Sequence, residues 1–317
     1  MKAGKQTTLR NRATVSGVGV HSGDPVRLTL HPAASHTGIV FIRNGVGGQP
    51  DREIRAEARA VTATEFATVL GDSTGSLVST IEHVMAALCG LGVDNAIVEI
   101  EGAEAPIMDG SAAAFVEAID EAGIVTLASK RRFTKVLKPV RVSLGDSYGE
   151  ILPYDRGFRI DVAIEFDHPL IGRQMLAMDV EPESFRREVA RARTFGFMRD
   201  VERLLGAGYA RGASLDNTLV VGDDGVINPD GLRFADEFVR HKALDAIGDL
   251  ALAGAPILGL YRSVRGGHKL NHAVLSALVS DLSAWTVVEL EEPARRRRGH
   301  ADVATGLVAP AYGADLS

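Results

Sequence analysis

One segment, residues 240–249 (RHKALDAIGD), carries a histidine and two aspartates at intervals of four residues. His241, Asp245 and Asp249 would therefore share one face of a helix, where neighbouring Cβ atoms lie about 6 Å apart. An imidazole and a carboxylate at that separation can bind one metal ion. The same spacing also suits an ion pair on a helix surface, so the segment by itself leaves both interpretations open.

A second group of residues that could take part in catalysis is the dipeptide Glu82-His83 near the start of a predicted helix. Adjacent helical residues point about 100° apart. His83 could therefore bind a metal ion while Glu82 lies beside the water on that ion without binding it. In HExxH enzymes the glutamate next to the first histidine is the general base, but the second helical histidine is missing here. The alternative is an exposed pair whose glutamate is stabilised by the helix dipole.

A third group is the segment RGGHKLNH, residues 265–272, which follows a predicted strand. Its two glycines allow a close approach of the backbone and place His268 at a strand-to-helix junction. His268 could be a general acid if Asp249 or another carboxylate orients the ring and raises its pKa, although His272 competes for this role. His21 lies in a similar loop, GVGVHSG, which does not fit the dinucleotide-binding pattern GxGxxG.

The elements that must position these groups follow from the apolar periodicity. In the first half, strand patterns separated by glycine-rich turns occur at 6–15, 26–31, 38–43 and 95–100. A helix is predicted over 79–88, with Ser79 or Thr80 as its N-cap and Gly90 as its end. A second helix is predicted over 111–122, with Phe115, Ile119 and Ala122 facing inward.

The second half repeats this order of elements. Strands are predicted at 136–144, 148–153, 158–166 and 256–264, and helices at 234–252 and 271–281. We therefore predict an α+β protein of two similar domains, 1–127 and 133–290, each a sheet covered by a pair of helices. Further predictions are an interdomain linker at 126–135, an extra hydrophobic insert at about 181–221 and a flexible tail at 291–317.

The composition excludes several classes of protein. The 317 residues include 35 Lys and Arg against 41 Asp and Glu, which leaves no basic excess for nucleic acid or an anionic membrane. The single cysteine, Cys89, excludes an intrachain disulfide and a metal site built from cysteines. The longest nearly apolar run, 250–261, is too short to span a membrane, and the N-terminus lacks a secretory pattern. We expect a cytoplasmic protein whose metal chemistry, if any, uses histidines and carboxylates.

Taken together, these segments resemble one family, the UDP-3-O-acyl-N-acetylglucosamine deacetylases, zinc amidases of bacterial lipid A synthesis. The matching stretches occur in family order: GVGVHSG (17–23), STIEHVMAAL (79–88), GVDNAIVEIEG with APIMDGSAAAFV (92–116), RARTFGFMRD (191–200), SLDNTLVV (214–221), DGLRFADEFVRHKALDAIGDLAL (230–252) and GGHKLNH (266–272). The HKxxDxxGD and EH elements are highly specific in combination. The segment TEFATVL (64–70) departs from the family pattern at Glu65, so no role is assigned to that loop.

The resemblance implies a Zn²⁺ site and a base. Its ligands are expected to be His83, His241 and Asp245, with Glu82 as the base beside the metal. Three protein ligands would leave one position for water, whose pKa on zinc falls to about 7. The implied reaction hydrolyses the acetamide of UDP-3-O-(3-hydroxyacyl)-N-acetylglucosamine to acetate and the free amine, the committed step of lipid A biosynthesis.

The resemblance also implies the groups that assist this reaction. His268 is expected to protonate the departing amine, with Asp249 as its orienting partner. Thr194 is expected to donate its hydroxyl to the oxyanion, and Lys242 to place a cation near the substrate. The insert is expected to form a hydrophobic passage for the acyl chain.

The remaining candidates concern substrate binding. For the acyl chain they are the apolar residues of the insert: Phe195, Phe197, Leu204, Leu205, Tyr209 and Leu215. Such a stripe is more often part of a core. Arg265 and Lys269, together with Lys242, are candidates for the diphosphate and uridine, and His21 is a further substrate-binding candidate. We expect a monomer acting on a small-molecule substrate.

Two other functions use the same residues differently. A non-haem Fe(II) oxygenase also binds its metal with two histidines and one carboxylate, but usually from strands of a jelly roll. In a non-catalytic binding protein the histidines would be structural, and Glu82→Gln would leave function intact.

Overall fold

The structure, a computed structural model, describes residues 4–45 and 50–290. The predicted tail, 291–317, lies outside the described residues. Within the described ranges, no helix has both the length and the apolar character needed to cross a membrane.

Six α-helices occur in the described residues: α1 (Glu82–Leu91), α2 (Ala113–Ala122), α3 (Pro182–Glu188), α4 (Val201–Gly206), α5 (Glu237–Leu250) and α6 (His268–Ser280). The first ten strands are β1 (Lys5–Leu9), β2 (Ala13–Val18), β3 (Pro25–Pro32), β4 (Ile39–Arg43), β5 (Arg52–Arg55), β6 (Val61–Ala63), β7 (Val69–Asp72), β8 (Gly75–Val78), β9 (Ala96–Glu101) and β10 (Ile124–Lys130). The remaining strands are β11 (Arg132–Val136), β12 (Val140–Leu144), β13 (Ser147–Leu152), β14 (Phe158–Glu165), β15 (Arg173–Asp179), β16 (Phe195–Phe197), β17 (Leu219–Val221), β18 (Ile257–Val264) and β19 (Trp285–Glu289).

The first half is built around a five-stranded sheet with the order β2-β3-β9-β4-β5. The alternation in VRLTLH has the predicted effect, since Val26, Leu28 and Leu30 are buried while their neighbours along β3 are more exposed. β3 pairs antiparallel with β9, so that Leu28 lies opposite Ile100. Helix α2 packs on β2 and on α1. A small separate sheet, β6-β7-β8, precedes α1 and carries the loop that reaches the site.

The second half is built around a seven-stranded sheet. Five of its strands follow the order β12-β13-β18-β11-β19. In addition, β14 pairs with β18, and β15 pairs with β14. Helix α5 packs on β14 and β15, and α6 packs on β12 and β13. The predicted α+β class is confirmed, whereas the division into two similar domains, 1–127 and 133–290, each a sheet covered by a pair of helices, remains a prediction.

Residues 126–135 do not form the predicted linker. They belong to β10, which pairs antiparallel with β1, and to β11, which lies between β18 and β19. The sequence prediction is wrong because the basic residues of TLASKRRFTK interrupt the apolar alternation by which two short strands would be recognised. Their partners are distant in sequence, so a local window does not detect the pairing.

The limits of several predicted elements also differ from the structure; the strand expected at 136–144, for example, is the end of β11 followed by β12. The strand expected at 6–15 is two strands, β1 and β2. Helix α1 has no side-chain N-cap, because Thr80 has a φ of 59° and donates its hydroxyl to Glu104 (2.9 Å). It continues past Gly90 and ends at Gly92, whose left-handed φ of 74° allows the C-cap. Helix α6 begins three residues earlier than predicted, which makes His268 its first residue.

Helices α1 and α5 cross at a glycine. A Cβ at Gly248 would collide with the carbonyl oxygen of Glu82, so only glycine permits this close approach. The crossing brings Glu82 and His83 of one half against the His241–Asp249 face of the other. The tertiary contact that assembles the site therefore depends on Gly248.

We expect Gly248→Ala to lower the free energy of unfolding by about 1–3 kcal/mol, because a methyl group is forced against a buried backbone. Urea denaturation monitored by circular dichroism measures this. Gly206→Ala is the matched control, since Gly206 is also helical but a Cβ there meets nothing within 4 Å. Equal stability of the two variants would contradict the close-packing argument.

Candidate active site

Three predicted metal ligands converge between α1 and α5. His83 comes from α1, and His241 and Asp245 come from successive turns of α5; all three are buried. Oδ1 of Asp245 lies 3.3 Å from Nε2 of His241 and 3.6 Å from Nε2 of His83. The three potential ligand atoms lie within 4.8 Å of one another. This is the geometry of one coordination site.

The hydrogen bonds of these residues fit a divalent cation. Nδ1 of His241 lies 3.1 Å from the carbonyl oxygen of Ala192. Because a carbonyl can only accept, Nδ1 carries the proton and Nε2 directs a lone pair toward Asp245. Oδ1 of Asp245 is buried without a hydrogen-bond partner in the described part of the chain. A metal ion would satisfy both atoms.

The charges around the ligands support neutral imidazole and ionised carboxylate. Burial lowers the pKa of His241 to about 3, although the charge of Asp245 acts in the opposite direction. His241 is therefore neutral near pH 7, as a metal ligand must be. Lys242 donates from Nζ to Oδ2 of Asp245 (2.8 Å). Burial would lower the pKa of Lys242, but the surrounding carboxylates, first Asp245 and then Asp249 and Glu82, together raise this pKa.

Glu82 occupies the first turn of α1 beside the ligands. Its side chain is buried, and Oε2 accepts the backbone N–H of Thr68 (3.0 Å). Burial raises the pKa of Glu82 because the charged form loses solvation. A carboxylate made more basic in this way suits a general base.

His268 and Asp249 form a hydrogen-bonded pair on the other side of Glu82. Nδ1 of His268 lies 2.9 Å from Oδ2 of Asp249, which also accepts from Asn271 (2.8 Å). Nε2 of His268 lies 3.9 Å from both Oε1 of Glu82 and Oδ2 of Asp245. Burial would lower the pKa of His268, but the nearby carboxylates, first Asp249, raise it to about 10. A protonated imidazole therefore faces the same space as the metal ligands and the base.

Comparisons with known proteins agree with this geometry. A family model described as UDP-3-O-acyl N-acetylglycosamine deacetylase matches residues 6–280. Similar curated proteins named UDP-3-O-acyl-N-acetylglucosamine deacetylase come from Brucella ovis, Brucella canis and Brucella melitensis biotype 2. Each is 53% identical to this chain over 285 residues, covering 90% of this chain and 98% of the relative. The chain belongs to this deacetylase family. The resemblance inferred from the motifs is confirmed, while the role of each residue remains a prediction.

The structure distinguishes between the two histidines of the segment 265–272. His268, not His272, hydrogen-bonds to Asp249. His272 lies one turn further along α6, where its Nε2 is 3.3 Å from Oγ of Ser276. Burial lowers the pKa of His272, which disfavours a proton donor.

The two proposed oxyanion groups differ in their contacts. Lys242 adjoins the site through Asp245, and its Nζ lies 5.6 Å from the ring centroid of Phe195. Thr194 is fixed through its backbone, which donates to Gly110 (2.7 Å) and accepts from Leu219 (2.8 Å). Within residues 4–45 and 50–290, no hydrogen bond joins the Thr194 hydroxyl to the metal ligands, so its role stays a prediction.

The predicted insert lies beside the site. Its strands β16 and β17 pair in parallel, and α4 lies in the connection between them. The Phe195 ring lies 5.0 Å from that of Phe238 and 6.3 Å from that of His241. Phe197 packs against the rings of Phe166 and Phe195 at 5.8 and 6.4 Å. This aromatic cluster adjoins the ligands, as the predicted acyl passage requires.

Other apolar residues of the insert are exposed or form its edge. Leu205 and Leu215 are 47% and 44% exposed, and Leu204 is half-buried. Tyr209 lies edge-on to His21 (5.3 Å) and against Phe66 (4.8 Å). Leu205 and Leu215 therefore face solvent, whereas Phe185, Val189 and Leu219 of the same insert are buried in the core.

The remaining substrate-binding candidates receive unequal support. Arg265 pairs with Glu165 at 2.9 Å, so its charge is already compensated. Lys269 is exposed on α6 and makes no ion pair among the described residues. His21 accepts a hydrogen bond from the backbone of Ala210 (3.4 Å), and burial lowers its pKa. None of these contacts tests the predicted binding of the diphosphate or uridine.

Thr68, like Asn271, is a residue of the site that the sequence analysis missed. Its hydroxyl donates to Oδ1 of Asp249 (2.6 Å), and its backbone N–H donates to Glu82. It lies in the loop TEFATVL, whose departure from the family pattern gave no reason to assign a role. Thr68 and Asp249 are 181 residues apart in the chain, so no local sequence motif indicates their contact.

Proposed function

We propose that this protein hydrolyses the acetamide of UDP-3-O-(3-hydroxyacyl)-N-acetylglucosamine, releasing acetate and UDP-3-O-(3-hydroxyacyl)-glucosamine in lipid A biosynthesis. The observation that carries the proposal is the buried convergence of three metal ligands with Glu82 and the His268–Asp249 pair, in a chain of this deacetylase family. The substrate is the one for which the Brucella relatives are named.

We further propose that the metal is zinc, held by His83, His241 and Asp245. Two neutral imidazoles and one carboxylate are a ligand set that zinc enzymes use for catalysis. When bound, zinc acts as a Lewis acid toward the carbonyl oxygen and lowers the pKa of bound water.

The side chains supply the proton transfers. Oε1 of Glu82 is free of the Thr68 hydrogen bond and takes a proton from water as the oxygen bonds to the acetamide carbon. Lys242 and Thr194 are proposed to stabilise the negative oxygen that forms. When the C–N bond breaks, His268 gives its Nε2 proton to the leaving nitrogen while Nδ1–H stays bonded to Asp249. The products are acetate and a free amine.

The direct test is acetate release from the acylated UDP-sugar by purified protein, followed together with formation of the free amine. We expect release from wild type, and Glu82→Gln protein purified in the same way controls for a contaminating deacetylase. Failure of the wild-type protein to release acetate would contradict the proposed function.

Metal analysis of the same preparation addresses the oxygenase alternative. The ligands lie on α1 and α5 and not on jelly-roll strands, which favours the hydrolase. We expect about one zinc per chain. Activity that requires iron and consumes dioxygen would favour the oxygenase instead.

The activity should depend on pH as a bell-shaped curve. Glu82 must be ionised to accept a proton, so activity falls at low pH as Glu82 becomes protonated. Because burial raises the pKa of Glu82 above its ordinary value of 4.5, this loss of activity begins above pH 4.5. His268 must be protonated, so activity is lost as pH rises through its pKa of about 10. Measurements of kcat against pH test this, and the basic limb should be missing from His268→Gln. A basic limb retained in that variant would contradict the acid role.

The substrate also suggests where and how the protein acts. We propose a cytoplasmic enzyme, because nucleotide-linked sugars are made and used there. We also propose that it acts as a monomer, since every proposed catalytic residue comes from one chain. Sedimentation equilibrium tests the oligomeric state.

A further inference from the structure

Thr68 contacts both halves of the proposed proton-transfer system. It lies immediately before β7 and is buried, with only 1% of its surface exposed. Its N–H donates to Oε2 of Glu82 (3.0 Å) and its hydroxyl donates to Oδ1 of Asp249 (2.6 Å). One residue therefore connects the base to the carboxylate that orients the acid.

The hydroxyl contact matters because of how Asp249 is held. Oδ2 of Asp249 is shared by His268 and Asn271, whereas Oδ1 has only the Thr68 hydroxyl as a hydrogen-bond donor among the described residues. Asp249 is itself buried. Without that hydroxyl, Oδ1 would be a buried acceptor without a donor, which is unfavourable. The carboxylate would then turn to regain a donor, and the His268 ring would turn with it.

The backbone contact has a different effect. Because Oε2 of Glu82 is occupied by the Thr68 N–H, Oε1 is the oxygen left to face His268 at 3.9 Å. The Thr68 carbonyl accepts from the N–H of Ile81, the residue before α1 (3.4 Å). The loop and the start of α1 are thus held together, and Thr68 cannot move independently of Glu82.

We propose that Thr68 is a positioning residue that holds Glu82 and the His268–Asp249 pair in one mutual arrangement. It touches neither the metal ligands nor the reacting atoms and acts only through Glu82 and Asp249. This inference rests on the proposed function and assigns a role to the one loop that departs from the family pattern.

Thr68→Val tests the hydroxyl, because valine keeps the shape of threonine and the N–H to Glu82. We expect kcat to fall about 10- to 100-fold, the range seen when an outer hydrogen-bond partner is removed. KM and zinc content should stay at the wild-type values, whereas the melting temperature should fall by a few degrees because Oδ1 of Asp249 loses its donor. Thr68→Ser, which keeps the hydroxyl, should restore most of kcat, and Thr68→Ala should resemble valine. Thr62→Val is the matched control, since Thr62 is exposed on β6 and its hydroxyl donates to the carbonyl of Val69 (3.5 Å) and not to Glu82 or Asp249.

A second measurement does not depend on turnover. The Nδ1 proton of His268 can be followed by NMR in protein with ¹⁵N-labelled histidine and identified by its loss in His268→Gln. We expect its resonance to shift in Thr68→Val and to keep its wild-type position in Thr68→Ser and Thr62→Val, with or without zinc.

The outcomes separate the two proposals. Wild-type kcat and an unmoved Nδ1 resonance in Thr68→Val would overturn the positioning role. A serine variant as impaired as the valine variant would also overturn it, because the methyl group and not the hydroxyl would then be required. If wild-type protein releases no acetate, the proposed function fails, and the NMR comparison still decides whether Thr68 orients the His268–Asp249 pair.

Discussion

Protein stripped of its metal is expected to release no acetate above the rate without enzyme, and zinc should restore the activity. The reason lies in the three ligands. Oδ1 of Asp245 has no hydrogen-bond partner among the described residues and faces Nε2 of both His241 and His83. A metal ion held by these atoms would polarise the substrate carbonyl, whereas neither Oδ1 of Asp245 nor the unprotonated Nε2 of His241 can do so by donating a proton.

The metal prediction has a readout that is independent of turnover. A ligand present at about 100 times its Kd stabilises the folded protein by about 2.7 kcal/mol. Zinc should therefore raise the melting temperature of the stripped wild type but not that of His241→Ala, which lacks one ligand. Circular dichroism controls for unfolding during stripping. Full activity of thoroughly stripped protein would defeat the zinc proposal.

Glu82→Gln is expected to lower kcat by about 10²- to 10⁴-fold, the usual contribution of a general base. Glutamine has nearly the shape of glutamate, and its amide oxygen can still accept the Thr68 N–H that Oε2 accepts now. The substitution therefore removes the capacity to take a proton while leaving the packing of α1 on α5 in place. Because glutamine is not a metal ligand here, zinc content should stay at the wild-type level.

Glu99→Gln is a matched control for this substitution. Glu99 also hydrogen-bonds in the native protein, to His31 and Asn44, but it lies on β9 away from the site. We expect it to keep wild-type kcat. If Glu82→Gln retained wild-type kcat while His268→Gln lost activity, the base would have to be another group.

The periodicity of the sequence was sufficient to predict the chemistry on each element. The spacing of His241, Asp245 and Asp249 placed them on one face of a helix, and α5 has them there. Neighbours four residues apart are fixed by helix geometry, so this part needed no tertiary information. The same holds for the alternation in β3 and for the buried face of α2, where Phe115 and Ile119 point inward.

Recognition of the family motifs extended this to a complete set of candidate residues. The motifs joined Glu82-His83 to the α5 segment although about 160 residues separate them in the chain. Composition and local pattern alone left the metal site and a surface ion pair as alternatives. The buried geometry of the ligands now favours the metal site.

Only the tertiary structure decided which groups meet and how they are held. The α1–α5 crossing requires that Gly248 has no side chain. The apolar periodicity of the sequence does not show that another helix lies against this residue. The strands at 126–135 were mistaken for a linker because their hydrogen-bond partners lie far away in the sequence. Thr68 reaches Asp249 across the molecule in the same way. Local pattern determines the face on which a side chain lies, whereas packing between distant segments determines its partner.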